Sequence, residues 1–335
     1  MNSYVGVDVH KDSCHGTVQT ESGETVKQGY FKNAHPGFDD FFDGIEEAEA
    51  VVEAGAAWQP VYDWLDENGF DVKLADPRKV RIIAEVKIKT DARDSEALAD
   101  LLRADLIPEI YVPCDERREL RKIVRRRGKL VQERAKYKNR IRAELRKRGI
   151  DSDGYYLGTQ KAKRWLRSLE IDSVDDYLEI MNSITERIRN LEKEIKEIAG
   201  DMEEAQLLMT IPGVSYYSAL TIIAEIATVE RFPSSEHLCS YAGLVPSTTQ
   251  SGSKETHGHI QGGRPLLRWI VCQCAHIHVH NADSHLTRFY ERLDKEKPGN
   301  HATVSTGRKL LKVIYWMLKE GEEFRPEGYD PRQSC

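Results

Sequence analysis

Residues 4–10 read Tyr-Val-Gly-Val-Asp-Val-His, and this stretch determines how the first part of the chain folds. Its valines alternate with other residues and therefore share one side, which is the period of a half-buried β-strand. Two further strand-like stretches follow at residues 14–20 and 24–32, separated by the turn sequence Glu-Ser-Gly at 21–23. Three consecutive strands joined by short turns predict an antiparallel meander.

The pattern changes after residue 35, where helical and strand periods alternate. The predicted elements of this part are a helix over 36–47, a strand over 50–53, a helix over 58–68 and a strand over 70–75. Such alternation favours parallel β-α-β crossovers, so the sheet is predicted to be mixed. A helix over 91–103 completes a first domain of α/β class at residues 1–110.

Charge is distributed very unevenly along the chain. The 335 residues carry a formal charge of −6, yet residues 117–148 contain 16 Lys and Arg against three acids. Their spacing predicts one long basic helix over 116–148 with a sparse apolar stripe. Because this excess is too large for a pattern of i,i+4 ion pairs, we favour nucleic-acid phosphates as its partner over a merely solvated face.

A second long helix is predicted after a loop at residues 151–158. Apolar residues recur in it at steps of four and three, at Ile184, Ile188, Leu191, Ile195 and Ile198. This seam is about two heptads long, so it either joins two subunits as a coiled coil or packs on the basic helix. We assign residues 111–200 to a basic and coiled-coil region and residues 201–335 to a mainly helical domain.

Residues 211–226 have the composition of two helices joined by a tight turn at Gly213. The stretch resembles a helix-hairpin-helix element, in which backbone N–H groups at a helix N-terminus bind a phosphate. A plain αα-corner has the same residue pattern. Both interpretations stay open on these residues.

Length and composition exclude several protein classes. A chain of 335 residues is long enough for about two domains with their own cores. It contains no apolar run of the roughly 18 residues that cross a bilayer, and its N-terminus lacks the pattern of a signal peptide, so a cytoplasmic, non-membrane protein is expected. Its six cysteines form no CxxC pair, which favours reduced thiols over a disulfide framework or a zinc ribbon.

Four acidic residues are candidates for a metal site. Asp8 stands within a Val-rich strand, Glu53 closes a predicted strand, and Asp91 and Asp94 share the first turn of a predicted helix. If these carboxylates were gathered they would repel one another unless divalent cations lay between them, and hard oxygen ligands suit Mg²⁺ and two-metal phosphodiester chemistry. Taken singly, Glu53 also fits a solvated strand end, and Asp91 and Asp94 fit an acidic helix start without metal.

Two other groups of residues give weaker signals. Residues 247–263 are polar, Gly-rich and predicted to form a flexible loop; Ser251 lies in it, although a lone loop serine is usually structural. Cys272, His276 and His280 share one helix face and are suitable zinc ligands, but packed or solvated histidines fit that spacing better. His257 and His259 have no assigned role.

Six short motifs, taken together and in order, resemble one protein family. They are GVDVHK at 6–11, VVEAG at 51–55, KTDARD at 89–94, TIPGV at 210–214, YAGLVP at 241–246 and QSGS at 250–253. This combination is similar to the IS110 family of insertion-sequence transposases, also called DEDD recombinases, which are related to the pilin-gene invertases. The resemblance extends over nearly the whole chain.

The resemblance implies an RNase H-like, RuvC-like N-terminal domain in which Asp8, Glu53, Asp91 and Asp94 hold Mg²⁺. It also implies that Ser251, in a helical C-terminal domain, is the nucleophile that forms a 5′-phosphoserine link with DNA. Donor and target DNA would be selected by pairing with a noncoding bridge RNA. The assembly would be a homodimer that pairs into a tetramer.

Two other functions fit the same residues. A metal-dependent nuclease of the Holliday-junction type would hydrolyse DNA with water and leave Ser251 unused. A non-catalytic nucleic-acid-binding protein would have acids that no longer hold metal. Hydrolysed ends without a protein adduct indicate the first, and nucleic acid unchanged with and without Mg²⁺ indicates the second.

Overall fold

The computed structural model describes residues 3–45, 48–84, 90–152, 154–245, 248–251, 254–257, 262–296 and 299–328. The side chains of residues 84, 248–251 and 254–257 lie outside this description. The chain divides into two compact units, residues 1–112 and residues 113–335.

The first unit is built on a five-stranded mixed sheet, as the sequence predicts. Its elements are β1 (Ser3–Val9), β2 (Ser13–Gln19), β3 (Thr25–Lys32), α1 (His35–Phe42), β4 (Ala48–Glu53), α2 (Gln59–Glu67), β5 (Asp71–Ala75), α3 (Pro77–Ala84) and α4 (Asp91–Arg103). The strand order is β3-β2-β1-β4-β5. The first three strands form the antiparallel meander, and β4 and β5 continue the sheet in parallel with β1.

Two elements of this unit differ from the prediction. The helix predicted over residues 36–47 ends at Phe42, because Gly44 adopts a left-handed backbone conformation with φ of +77° that a helix cannot continue through. The helix α3 was not predicted, since its basic and apolar residues form too short a pattern to separate from a loop.

Apolar side chains fill both faces of the sheet. On one face α1 and α2 pack through a group of aromatic rings that includes Phe38, Phe42 and Trp64. On the other face α4 packs through Leu98 and Leu102, which are 1% and 2% exposed. This second face carries the polar residues of β1 and is therefore the one that positions the candidate site.

Gly6 lets α4 approach β1 very closely. A Cβ atom at position 6 would lie 2.1 Å from the carbonyl oxygen of Ser95 and 2.6 Å from the backbone nitrogen of Ala99. Because side chains of a strand alternate between faces, Asp8 projects toward the same face as position 6. The close contact therefore brings the start of α4 next to the end of β1.

The second unit is mainly helical, in agreement with the sequence. Its elements are α5 (Asp115–Lys147), α6 (Gln160–Arg167), α7 (Asp172–Asp201), α8 (Glu203–Met209), α9 (Tyr216–Ile226), α10 (Ser235–Ala242), β6 (Thr248–Ser251), β7 (Lys254–His257), α11 (Pro265–Asn281), α12 (His285–Glu296) and α13 (Asn300–Glu320). None of the helices described combines the length and hydropathy needed to span a membrane.

The long basic helix α5 packs antiparallel to α7 along much of its length. Arg127 forms an ion pair with Glu192, while farther along α5 the ring of Tyr137 contacts that of Tyr177 near the start of α7. The apolar seam of α7 is covered within the chain, since Ile188 and Ile195 are 2% and 1% exposed. Packing on the basic helix is thus the arrangement that this chain adopts.

Helix α9 is the centre of the larger core of this unit. All of its residues from Ser218 to Ile226 are buried, because α5, α7, α8 and α11 surround it. The buried carboxylate of Glu225, 1% exposed, accepts two hydrogen bonds from the Arg125 guanidinium at 2.8 and 2.9 Å. This bidentate ion pair fixes α5 against α9.

The tight turn predicted at Gly213 joins α8 to α9. Gly213 has φ of +94°, and a Cβ atom there would lie 2.9 Å from the backbone nitrogen of His278 on α11. His278 is fully buried; its Nδ1 lies 2.8 Å from the carbonyl oxygen of Pro212, and its Nε2 lies 2.7 Å from Ser284 Oγ. The turn is therefore held against α11 by a structural histidine.

We expect Gly6→Ala to lower the free energy of unfolding by about 3 kcal/mol, because the added methyl group must displace α4 from the sheet. Gly29→Ala on β3 is the matched control, since no heavy atom of the described chain lies within 4 Å of a Cβ there, and it should change stability by less than about 0.5 kcal/mol. Urea denaturation measures both. Equal stability of the two variants would contradict the close packing of α4.

Candidate functional site

Asp8 and His10 lie at the end of β1 where the chain leaves the sheet. Asp8 is the second-last residue of the strand, and His10 follows just beyond its end at the spacing that continues the same face. Asp8 is 8% exposed and stands opposite His15 of β2 in the antiparallel register. A carboxylate so placed requires compensating charge or hydrogen bonds.

Asp91 is placed by the start of α4. Thr90 is the N-cap of this helix, and its side chain accepts a hydrogen bond of 3.3 Å from the backbone N–H of Arg93. Asp91 is thus the first helical residue, where the helix dipole stabilises a negative charge. The contact of α4 with Gly6 brings this helix end to the end of β1.

The three side chains form a compact group of possible metal ligands. His10 Nε2 lies 3.4 Å from Asp8 Oδ2 and 3.1 Å from Asp91 Oδ2. One ligand atom from each residue lies within 4.8 Å of the others. Two carboxylates that converge in this way suit a hard divalent cation such as Mg²⁺ or Mn²⁺, and the imidazole beside them is a ligand that Mn²⁺ accepts more readily than Mg²⁺ does.

Neighbouring groups keep the Asp91 carboxylate ionised. Burial alone would raise its pKa, but hydrogen bonds from the Tyr30 hydroxyl, at 3.0 Å, and from His10 outweigh burial and lower the pKa below its ordinary value. The same hydrogen bond raises the pKa of the Tyr30 hydroxyl. Burial, reinforced by the charge of Asp8, raises the pKa of the Cys14 thiol to about 12, so this neighbour is a neutral thiol.

The other two acids lie on the elements that flank this group. Glu53 ends β4, one residue beyond Val52, which pairs with Val7 of β1, so it lies at the same edge of the sheet as Asp8. Asp94 follows Asp91 by three residues on α4, so both lie in the first turn of this helix. In the described chain neither belongs to the set of ligand atoms within 4.8 Å of one another. Their part in binding metal stays a prediction.

His10 is the residue of this group to which sequence reasoning gave no role. The signal was present, since His10 follows Asp8 at the two-residue spacing that places both on one face of a strand. The distances to Asp8 and Asp91, however, depend on how β1 ends and where α4 begins. Those are features of the packed structure.

A buried polar network lies beneath the ligand group. Ser95 of α4 is fully buried, and its Oγ lies 2.8 Å from His15 Nδ1 and 2.7 Å from Thr17 Oγ1. Gln28 donates to Thr17 Oγ1 at 2.9 Å and to the carbonyl of Ala92 at 3.2 Å. The network joins β2 and β3 to the first turn of α4, and burial lowers the pKa of His15 so that the neutral imidazole is favoured.

Ser251 lies at the tip of a hairpin in the second unit. Strands β6 and β7 pair antiparallel, with Ser251 opposite Lys254. The prediction of a flexible loop over 247–263 is therefore wrong for the residues of these two strands. Their threonines, two in β6 and one in β7, are β-branched and therefore compatible with a strand, a signal that the surrounding glycines obscured. The Ser251 side chain lies outside the described part of the structure, as do His259 and the side chain of His257.

The hairpin is anchored at its base. Gly243 and Gly263 pack so closely that a Cβ atom on Gly263 would lie 2.5 Å from the backbone of Gly243. The Arg268 guanidinium donates to the carbonyls of Gly243 and Gly262 at 3.3 Å each. The start and end of the segment that carries Ser251 are therefore held together.

The cysteine and histidine set of α11 has the geometry of ordinary helix residues. His276 and His280 contact each other with ring centroids 4.5 Å apart, and both are exposed. Burial raises the pKa of the Cys272 thiol, which opposes formation of a metal-binding thiolate. In the described chain these three residues do not form a metal-ligand group.

Two transposase family models match the chain. One, for the DEDD transposase of IS110, matches residues 5–148. The other, described as transposase of the IS116/IS110/IS902 family, matches residues 205–291. The first match includes the four candidate acids, and the second includes the hairpin with Ser251.

Several proteins of known name are similar over almost the full length. The transposase for insertion sequence element IS1111A of Coxiella burnetii is 24% identical, over 96% of this chain and 91% of that protein. The transposase for IS1328 of Yersinia enterocolitica is also 24% identical, over 96% and 98%. A pilin gene-inverting protein of Moraxella lacunata is 24% identical over 96% and 97%.

We expect Ser95→Ala to destabilise the first unit by about 1–3 kcal/mol, because it leaves the buried His15 and Thr17 groups without their shared partner. Ser22→Ala, which removes an exposed turn hydroxyl, should alter stability by less than about 0.5 kcal/mol. Urea denaturation followed by circular dichroism compares them. A Ser95→Ala protein as stable as wild type would argue against the network.

Proposed function

We propose that this chain, which belongs to the IS110 family and is a DNA transposase and recombinase, cleaves and rejoins DNA strands by a metal-dependent serine mechanism. A bridge RNA guides the reaction in this proposal. The observation that carries the proposal is the convergence of Asp8 and Asp91 on His10 at one edge of the sheet. The pilin gene-inverting relatives support recombination as the reaction class.

The metal site of the proposed mechanism lies in residues 1–110, which we assign to an RNase H-like, RuvC-like catalytic domain. Membership in the DEDD family suggests a divalent metal, and we propose Mg²⁺ with Asp8, Glu53, Asp91 and Asp94 as its ligands. The charges of Asp8 and Asp91, the two carboxylates that meet at His10, support this choice. When bound, the metal supplies Lewis-acid stabilisation of charge on a phosphodiester.

Ser251 is the proposed nucleophile. Its hydroxyl oxygen attacks the scissile phosphorus, the bond from phosphorus to the 3′ oxygen breaks, and the serine proton is lost as the departing 3′ oxygen gains one. The products are a 5′-phosphoserine link and a free 3′ hydroxyl. Attack by the 3′ hydroxyl of another strand reverses these bond changes, so that rejoining requires no high-energy cofactor.

The remaining assignments concern nucleic acid and assembly. We assign residues 111–200, with the basic helix α5, to nucleic-acid binding, and residues 201–335 to the domain that carries Ser251 and a helix-hairpin-helix-like element around Gly213. The partners are donor and target DNA, a noncoding bridge RNA and further copies of the chain in a dimer that pairs into a tetramer. The excess of cations on α5 supports the nucleic-acid part.

We predict that Ser251→Ala abolishes covalent attachment of DNA to the protein. The protein is co-expressed with the noncoding flanks of its gene, incubated with Mg²⁺ and DNA containing the element ends, denatured and examined by mass spectrometry. Wild type should carry a nucleotide adduct on Ser251, whereas Ser251→Ala and Asp8→Asn should carry none.

Ser253→Ala is the matched control, because it removes a hydroxyl two residues away in the same segment and should retain the adduct. DNA cut by wild type without any adduct would indicate the hydrolytic nuclease instead. Cleavage by Ser251→Ala at the wild-type rate would reject the serine mechanism.

The metal site can be tested without measuring activity. Mn²⁺ titrated into the protein and followed by electron paramagnetic resonance should bind more than about tenfold more weakly to Asp91→Asn and His10→Ala, since each removes a converging ligand. Asp12→Asn, an exposed carboxylate beyond the end of β1, should bind as wild type does. Equal affinity in all four proteins would place the metal elsewhere.

A further inference from the structure

An exposed aromatic side chain lies at the end of the α5–α7 helix pair. Tyr156 precedes α6 and is 68% exposed. Its backbone is ordered, because its carbonyl accepts hydrogen bonds from the N–H of Thr159 at 2.9 Å and from the Thr159 hydroxyl at 3.0 Å. The adjacent Leu157 is fully buried and anchors the turn. The ring is therefore held in solvent by a fixed turn.

Lys138 of α5 lies over this ring. Its Nζ atom is 4.7 Å from the ring centroid, within the range of a cation–π interaction. A Cβ atom on Gly158 would lie 3.2 Å from the ring and 3.5 Å from Lys138 Nζ. Glycine at position 158 thus leaves the ring and the ammonium group in their present contact.

Beyond Lys138, a group of further cations is contributed by α5, α6 and α7. Arg134 is one helical turn before Lys138 on α5, about 6 Å along the axis. Burial, together with the charges of Arg189, Arg167 and Arg134, lowers the pKa of Lys163 on α6.

Throughout the part of the chain that the structure describes, no carboxylate forms an ion pair with any of Arg134, Lys163, Arg167 or Arg189. Like charges gathered without counter-ions repel one another, and an anionic partner would relieve that repulsion.

We propose that this surface binds a single-stranded stretch of nucleic acid, with an unpaired base stacked on Tyr156 and the backbone phosphates on Lys138 and the four-cation group Arg134, Lys163, Arg167 and Arg189. Aromatic rings set among cations bind single strands by this combination. In a duplex the base faces are occupied by stacking, so the ring would add nothing to phosphate binding. The inference rests on the proposed nucleic-acid binding by α5 and adds a preference for unpaired nucleotides.

Fluorescence anisotropy with the full-length protein tests it. The probes are a labelled 12-nucleotide RNA, a DNA of the same sequence, and the corresponding 12-base-pair duplex, at one salt concentration. Tyr156→Ala should bind the single strands about tenfold more weakly and the duplex within twofold of wild type. Tyr156→Phe, which retains the ring, should bind as wild type does. The RNA and DNA arms show which single strand depends more strongly on the ring.

Trp316→Ala is the matched control. Trp316 is 38% exposed with Lys319 Nζ 5.5 Å from its ring, but it lines a cleft with Glu320, Glu322 and Glu323 and should not affect binding. The inference is overturned if Tyr156→Ala binds single strands as wild type does, if Tyr156→Phe loses as much as Tyr156→Ala, or if the duplex is weakened equally. Wild-type protein that binds none of the probes would reject nucleic-acid binding by α5 as well, whereas a Ser251 adduct formed normally would leave the recombinase proposal standing.

Discussion

The close contact between α4 and β1 at Gly6 is the constraint on which the first unit depends. With no side chain at position 6, the backbone of α4 touches the strand at Ser95 and Ala99. This contact places the buried hydroxyl of Ser95 between His15 and Thr17 and brings the first residue of the helix to the end of β1. The meeting of Asp8, His10 and Asp91 follows from it, since each of these residues is fixed by one of the two elements in contact.

Three strand-like stretches in a row were sufficient to predict the meander, and the alternation of helix and strand patterns after residue 35 was sufficient to predict the mixed sheet. The two-residue period of β1 showed the unusual position of Asp8. It was not sufficient to identify His10 as a third member of the site. That required the distance between a strand end and a helix start, which are about eighty residues apart in sequence and meet through packing. Glu53 was predicted correctly to close a strand, but its distance from a metal depends on side-chain geometry that spacing does not determine.

In the second unit, the heptad spacing of α7 left two partners open, and the structure shows the one that lies within the chain, since α7 packs along α5 with Ile188 and Ile195 buried. On α11, the helical spacing of the histidines did not identify the one that has a structural role. Helical spacing grouped Cys272, His276 and His280, yet the buried histidine is His278, which holds the turn at Pro212. A strand pattern at β6 and β7 was hidden by glycines around it, because local composition there is typical of a loop.

The burial of α9 on all sides has a consequence for how the protein is made. Its apolar surface requires α5, which precedes it by about a hundred residues, and α11, which follows it. On the ribosome α9 therefore emerges before one of the helices that cover it exists, and the second unit completes its core late in synthesis. A chain cut short before Pro265, where α11 begins, would lack this cover, expose α9 and become a substrate for chaperones and proteases. Damaged copies of the gene would thus yield little folded protein.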